Sequence, residues 1–332
     1  MTSEESALLL FEEAMAFTYS AALRAAAALD LADHLADRPR TPGELAAACG
    51  ADADGLHRIL RLLAGRGVVR EDAGGRFHLT PKGDALRSTA PMPARTGVLM
   101  FTDELFWSTS QRLAASLTDA DPSFEKAFGM PMARYFEDAG REALFYEGMA
   151  AVSDAENPLI ARSCELPARG TVVDVGGRSG AFLLTVLRER PGLRGVLFDL
   201  HPAADGRTLD LDGVAGRWET VQGDFFEAVP PGDVLVLKRI LHNWDDDDCV
   251  RILESCRRAL APGGRVLVVD AIIPAGNAPH QSKEMDLMML AALTGRERTA
   301  DQLEPLFAAA GLRLDRVVPT PSVMSIAEGV AA

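Results

Sequence analysis

The chain has 332 residues, of which 48% are hydrophobic and 25% charged, and its formal net charge is -14 at pH 7. That length exceeds what one core usually serves, so two domains are expected, and there is enough apolar material to fill both. The acidic balance repels phosphate backbones, and the arginine-bearing stretches 58–66 and 188–194 are interleaved with apolar residues as in amphipathic helices, which argues against a nucleic-acid partner.

Residues 8–35 are rich in Ala and Leu, but Glu12, Glu13, Arg24, Asp30 and Asp33 break the run before it reaches membrane length. Neither a basic start nor a small-residue cleavage pattern marks a signal peptide, so the expected setting is the cytoplasm, with no membrane partner. Cys49, Cys164, Cys249 and Cys256 show no paired framework or zinc spacing, although Cys249 and Cys256 share a helical face; free buried thiols are expected.

The spacing of charges among Ala and Leu predicts one or two helices over residues 4–37. Thr41, Pro42 and Glu44 then supply a capping hydroxyl, a first-turn proline and a returning carboxylate, opening a short helix that Gly50 ends. A second helix from about Asp54 places Leu56, Ile59, Leu60 and Leu63 on one face and closes at Gly65 to Gly67. Val68 and Val69, the turn at Gly74 and Gly75, and Phe77 and Leu79 predict a small hairpin. Two helices and a hairpin make a winged-helix module. Such modules serve DNA-binding regulators, and they also pack against partner subunits. Here the second helix spends its surface on leucines and offers only Arg58, Arg61 and Arg66 to phosphates, which favours packing.

Residues 101–149 carry a dense set of aromatic and methionine side chains on amphipathic segments. Each one alone reads as core. As a group they are expected to contribute to the wall of a flat, apolar pocket, with Trp107, Phe145 and Met149 as substrate-facing candidates. Asn243 and Met289 are the corresponding candidates from the C-terminal half.

From Pro167 onward the pattern changes to apolar strands alternating with helices. TVVDVGGRSGAF gives a buried strand, an acidic residue near its end and a glycine turn opening a helix through Leu183, Leu184 and Leu187. Later strand candidates are 196–198, 234–237 and 266–269. This predicts an α/β, doubly wound domain whose ligand collects at the C-terminal ends of the strands.

The glycine turn discriminates among ligands. Aligning Gly177 and Gly180 with the last two glycines of a dinucleotide fingerprint leaves Val175 where the first belongs, and Asp174 precedes the turn. A carboxylate there is unhelpful beside a diphosphate and suits an amino group. Asp199, after the second strand and before Leu200, is placed to accept from two ribose hydroxyls. Together these fit a cofactor with an adenosine, a zwitterionic amino-acid tail and no phosphate. In GDFF, Asp224 is a candidate acceptor for the adenine amino group and Phe225 a cover for its face; the bland alternative is a capped turn followed by core aromatics.

VLVLKRILHNWDDDDC, with Lys238, His242, Asn243 and Trp244, completes a recognisable set with VVDVGGRSG, LFDLHP, GDFFEAVP, APGGRVLVVDAIIP and TGRERT. Over nearly the whole chain this resembles the class I S-adenosylmethionine-dependent small-molecule O-methyltransferases, including plant caffeic-acid-type enzymes and bacterial enzymes acting on aromatic polyketides and other natural products. The resemblance implies a Rossmann-like methyltransferase domain at 166–332, a winged-helix dimerisation domain at 1–100, a helical linker and pocket segment at 101–165, and a homodimer. It implies S-adenosyl-L-methionine as cofactor, contacted by Asp174, Gly176, Gly180, Asp199 and Leu200, with Asp224 and Phe225 framing the adenine and Lys238 beside the ribose or adenine edge. It implies His242 as general base, Glu297 as the carboxylate orienting it, and Asp270 where plant relatives carry a second acid. A terminal antiparallel pair is expected at 312–318 and 322–328. Two departures stand out: Arg178 replaces a frequent third glycine, and Asn243 stands where aspartate is common.

The chemistry suits these residues. A sulfonium methyl needs little activation, so the work lies in alignment, exclusion of water and removal of the acceptor's proton, which a histidine near neutral pKa performs. An aromatic or polyketide-like hydroxyl compound is the expected acceptor. Some relatives of this fold instead catalyse hydroxylation or decarboxylation with the cofactor bound, which is the rival enzymatic reading. The acidic run 245–248 reads as a helix start rather than a metal site, since its carboxylates do not converge and suit the positive end of a helix.

Overall fold

Val172, Val234, Val236, Leu267 and Val269 face one apolar cluster, while their neighbours Val173, Leu235, Leu237, Val266 and Val268 face another. This is the signature of strands buried on both sides of a parallel sheet. The computed structural model describes residues 2–119, 123–201, 213–292 and 295–332. They divide into two bodies, Met1–Trp107 with Met132–Val152, and Ser108–Pro131 with Ser153–Ala332. The segment 101–165, expected as a unit of its own, is thus shared, and its helix Ala139–Ser163 contributes residues to each.

The first body begins with three helices where one or two were expected: Ser3–Ala14, Phe17–Ala28 and Leu31–Leu35. The second break falls at Asp30, whose φ of 51° lies in the left-handed region and cannot continue a helix. At Pro42–Cys49 the capping box forms as expected, with Thr41 Oγ1 accepting from Glu44 N at 3.2 Å and Glu44 Oε2 accepting from Thr41 N at 2.8 Å. The next helix, Ala53–Gly65, starts a residue earlier than expected because Asp52 caps it, accepting from Gly55 N at 2.7 Å. Its Leu56, Leu60 and Leu63 join Leu31, Leu35, Leu45, Val68 and Phe77 in one core. Strands β1 (Val69–Glu71) and β2 (Phe77–Leu79) form the antiparallel wing.

The second body holds, among the described residues, a seven-stranded sheet. In chain order its strands are β3 (Gly170–Val175), β4 (Leu193–Asp199), β5 (Trp218–Gln222), β6 (Gly232–Lys238), β7 (Leu260–Asp270), β8 (Leu312–Pro319) and β9 (Ser325–Ala331). Their spatial order is β5-β4-β3-β6-β7-β9-β8, with β9 antiparallel to both neighbours. Chain order reverses between β3 and β6, which makes the carboxyl ends of those strands the place for a ligand. The last strand starts at Ser325, three residues later than expected. Residues 320–324 close on themselves instead, with Thr320 Oγ1 bonded to Ser322 Oγ at 2.8 Å and to Met324 O at 2.7 Å.

The acidic run opens the helix Asp246–Ala259, where Asp245 Oδ1 accepts from Asp248 N at 2.9 Å. The helix buries Cys249, Ile252, Leu253 and Cys256 on one face. All four cysteines are free thiols, three of them buried. No helix among the described residues is long and apolar enough to cross a membrane.

Candidate active site

At the end of β3, Asp174 is 2% exposed and its Oδ2 has no hydrogen-bond partner. Burial, opposed by nearby Lys238, raises its carboxyl pKa to about 6. The turn that follows makes room for a ligand. Gly176 sits at φ 75°, and a Cβ there would run into Ile240; a Cβ on Gly177 would stand 2.5 Å from the Asp174 carboxyl carbon and 2.7 Å from Leu197 Cδ1. Arg178, the departure from glycine noted above, holds a φ of 47° despite its side chain. That strain is offset by its amide, which donates to Asp199 Oδ2 at 2.9 Å. Gly180 then starts the helix Ala181–Glu189.

Asp199 ends β4, and its other oxygen accepts from His201 N at 2.9 Å. Two backbone amides therefore fix the carboxylate, and each oxygen keeps a lone pair for a further donor. Leu200 is exposed, and its carbonyl accepts from Gln222 Nε2 at 3.0 Å. Beyond β5, Asp224 Oδ1 caps its own turn, accepting from Phe226 N at 2.8 Å. The half-buried Phe225 packs edge-on against Phe226 and Trp244, with ring centroids 4.9 and 5.9 Å away. The capped turn and the packed aromatics are both present, and the second Asp224 oxygen is left for another donor.

Lys238 ends β6, and its Nζ donates to Ser153 Oγ on the helix Ala139–Ser163. Burial lowers its pKa to about 8. Ser153 Oγ in turn donates to Asn157 Oδ1 at 3.4 Å, while Asn157 Nδ2 is buried without a partner. Next in the chain, Arg239 has a φ of 56° and grips Glu156 with Nη2 2.9 Å from both carboxylate oxygens. Asn243 is exposed and donates to Arg239 O at 3.0 Å, closing the turn between them.

His242 lies in the 3-10 turn Leu241–Asn243 directly after β6 and is 8% exposed. Its Nδ1 is 2.9 Å from Glu297 Oε1, and the Glu297 side chain is fully buried. The carboxylate sets the tautomer: Nδ1 carries the proton and donates, and Nε2 is left as acceptor. Nε2 has no hydrogen-bond partner among the described residues. Glu297 N donates to Asp286 Oδ1 at 2.9 Å. Asp270, at the end of β7, is 5% exposed with Oδ1 unpartnered. Burial raises its pKa to about 6, with His242 pulling it down and Glu297 pushing it up, which puts all three in one electrostatic neighbourhood.

Of the substrate candidates, Met289 is buried in the helix Gln281–Ala292 and belongs with Asn243 to the second body. Trp107, Phe145 and Met149 belong to the first body and are half-buried. Phe145 packs tilted against Phe136 and edge-on against Tyr146, with ring centroids 5.1 and 5.5 Å away, and lines a small cleft with Met100, Tyr135 and Arg141. Sequence reasoning missed Ser153, Glu156, Asn157, Arg239 and Arg298 as parts of this machinery. The first three sit in a helix of no evident motif; Arg239, beside Lys238, and Arg298, beside Glu297, were the two with a signal.

The residues fit a phosphate-free adenosyl cofactor. An orphaned buried carboxylate oxygen faces a glycine turn without space for side chains, and two more carboxylates with spare lone pairs follow β4 and β5.

Comparison with known proteins agrees. An O-methyltransferase domain family matches residues 110–313, and an O-methyltransferase dimerisation domain family matches residues 11–89, which include the winged module. The structure of CalO1, described as a methyltransferase in calicheamicin biosynthesis and solved in its SAH-bound form, superposes with a TM-score of 0.96 and 62% identity over 100% of both chains. The phenazine O-methyltransferase PhzM of Lysobacter antibioticus is 39% identical over 92% of this chain and 91% of its own. NcsB1, an O-methyltransferase from neocarzinostatin biosynthesis solved with S-adenosylmethionine and 2-hydroxy-5-methyl naphthoic acid, is 35% identical with a TM-score of 0.71, covering 94% of this chain and 96% of that one.

Proposed function

Since the chain belongs to the S-adenosylmethionine-dependent O-methyltransferase family, we propose that it methylates a hydroxyl group of an aromatic or polyketide-like natural product, with His242 as general base. The observation that carries the base assignment is the buried His242–Glu297 pair, whose geometry leaves Nε2 as a proton acceptor. When bound, the cofactor supplies an electrophilic methyl on a sulfonium whose sulfur leaves neutral. His242 Nε2 would take the acceptor's O–H proton as that oxygen receives the methyl group. Glu297 stabilises the resulting imidazolium and holds the ring in place. Asp174 would accept from the cofactor's amino group, Asp199 from its ribose hydroxyls and Asp224 from its adenine amine, with Phe225 against the base. Gly176 and Gly180 would shape the turn that receives it, Leu200 would flank the ribose, and Lys238 would lie beside the ribose or adenine edge. Asp270 adds a second acid near the base.

The acceptor class is supported by the relatives, among them a phenazine O-methyltransferase and an enzyme bound to a hydroxynaphthoic acid. Trp107, Phe145, Met149, Asn243 and Met289 are the residues proposed to face it. A homodimer is supported by the dimerisation-domain match and by the helix Ser3–Ala14, which buries none of its residues and exposes Leu8, Leu9, Leu10 and Phe11. A cytoplasmic setting suits the free thiols. The test is mass spectrometry of reactions with methyl-labelled S-adenosylmethionine and a panel of hydroxynaphthoates and hydroxyphenazines. One labelled methyl on oxygen is expected; a product changed by loss of carbon dioxide or gain of oxygen, without label, would replace this reading.

A further inference from the structure

We propose that Arg298 is a positioning residue for the base, and that residues 295–298 act together as a clasp on the turn carrying His242. This rests on His242 being the base. A three-residue 3-10 turn has too few internal hydrogen bonds to hold its own orientation. Local support comes from Asn243 Nδ2, which donates to Arg239 O, and from the weak donor Cys249 Sγ, 3.3 Å from Leu241 O and 3.6 Å from Trp244 O; the stronger bonds arrive from more than fifty residues later in the chain. Arg296 N donates to His242 O at 2.8 Å, and Glu297 accepts from His242 Nδ1 at 2.9 Å. Arg298 Nη1 donates to Leu241 O at 3.0 Å and Nη2 to Trp244 O at 2.8 Å.

Consecutive residues thus hold the base's backbone, its ring, and the carbonyls on either side of it. The approach is close: at Gly295 even a Cβ would collide with His242 O. The Arg298 side chain is 3% exposed, and Asp246 Oδ1 aims it, lying 3.0 Å from Nε and 2.7 Å from Nη2. Three bond directions from one rigid plane are needed, which a guanidinium supplies and an ammonium does not. Because Glu297 and Arg298 are neighbours, loss of the guanidinium lets the turn rotate away from the carboxylate, so the imidazole loses its alignment although Glu297 is intact. The effect is local to the base and leaves Asp174, Asp199 and Asp224 untouched.

The test compares Arg298→Met, Arg298→Lys and Asp246→Asn with His242→Gln. Five quantities are read: the downfield imidazole N–H proton resonance, identified by its loss in His242→Gln; kcat and KM across pH; cofactor Kd by calorimetry; and Tm. Arg298→Met is expected to lose or broaden the downfield resonance and to lower kcat about 10-fold to 100-fold, as misalignment of a catalytic group does, with cofactor Kd and KM changed less than about 3-fold. Arg298→Lys recovers part of both losses, and Asp246→Asn shows a smaller loss of each. Should Arg298→Met fail to fold, the other two variants carry the same comparison, since the Asp246 side chain is 60% exposed. Folded variants that keep the resonance and kcat, or that change only Tm, overturn the proposal. A His242→Gln enzyme that turns over like wild type defeats the base assignment instead, whatever happens to the resonance in Arg298→Met.

Discussion

His242 Nδ1 and Glu297 Oε1 lie 2.9 Å apart although 55 residues separate them in the chain. The first comes from the turn after β6 and the second from the stretch before the helix Ala300–Ala309, so the pair exists only once the sheet has assembled. Glu297→Gln keeps the size and an acceptor oxygen but removes the charge that stabilises an imidazolium. Its kcat should fall on the order of 10²-fold, the lower end of what general-base catalysis contributes. Steady-state kinetics paired with calorimetry checks this, with cofactor Kd expected to stay within about 3-fold.

Asp174 should make cofactor affinity depend on pH. Burial raises its carboxyl from 3.8 to about 6, so the folded chain holds this proton more tightly than the unfolded chain. Its contribution to stability is therefore whole below about 4 and lost as pH rises through about 6. Binding an ammonium group demands the opposite, ionised state, so affinity should fall roughly tenfold between pH 7 and pH 5 through this group. Asp174→Asn should flatten that dependence, bind the cofactor poorly, and melt at a higher temperature than cofactor-free wild type at pH 7. Calorimetry from pH 5 to 8 and a thermal melt decide it.

Gly177→Ala places a methyl 2.5 Å from the carboxyl carbon of Asp174 and 2.7 Å from Leu197 Cδ1. Something must shift, at about 1–3 kcal/mol of stability for overpacking. The group with most freedom to shift is the carboxylate the cofactor needs. The expected result is a folded enzyme with cofactor Kd raised more than about 10-fold, equivalent to 1.4 kcal/mol or more, measured by calorimetry alongside a thermal melt.

The Arg239–Glu156 pair is 2.9 Å long, and each side chain is 10% exposed. Glu156→Ala strands a buried guanidinium and should cost about 3–5 kcal/mol, whereas the double variant Glu156→Ala with Arg239→Met should recover much of that loss. Denaturant unfolding of the wild type, both single variants and the double variant measures the coupling; equal losses in Glu156→Ala and the double variant would deny the pair its role.

Self-association should depend on the first helix and the start of the next. Leu8, Phe11, Met15 and Phe17 are 67%, 65%, 58% and 65% exposed, and clustered exposed apolar side chains mark interaction surfaces. Replacing Leu8 and Phe11 with serine should shift sedimentation from dimer towards monomer, while the wild type stays dimeric at micromolar concentration.

Much of this was legible in the residues because the signals were local. Alternation of strand and helix gave the sheet, Thr41 with Glu44 gave a helix start, and the strand carrying Asp174 into a glycine turn was marked by its apolar run. Helix limits were less legible where a single residue decides them: Asp30 turns left-handed and breaks a run that composition alone continues, and Asp52 caps one position before the expected start. The supports of the site were not legible. Ser153 and Glu156 share a helix with Asn157, which Ser153 bonds, and meet Lys238 and Arg239 only across more than eighty residues of chain. Such partners are fixed by assembly of the sheet, and no spacing in the sequence announces them.

Removal of the acceptor's proton by His242 is tested most directly by the single-turnover methyl-transfer rate of wild type and His242→Gln across hydroxyaromatic acceptors of graded acidity. The rate ratio between the two enzymes should be on the order of 10²-fold or more for weakly acidic phenols and shrink towards unity as the phenol ionises unaided. A ratio near one for every acceptor, with cofactor bound normally by both enzymes, would contradict the account.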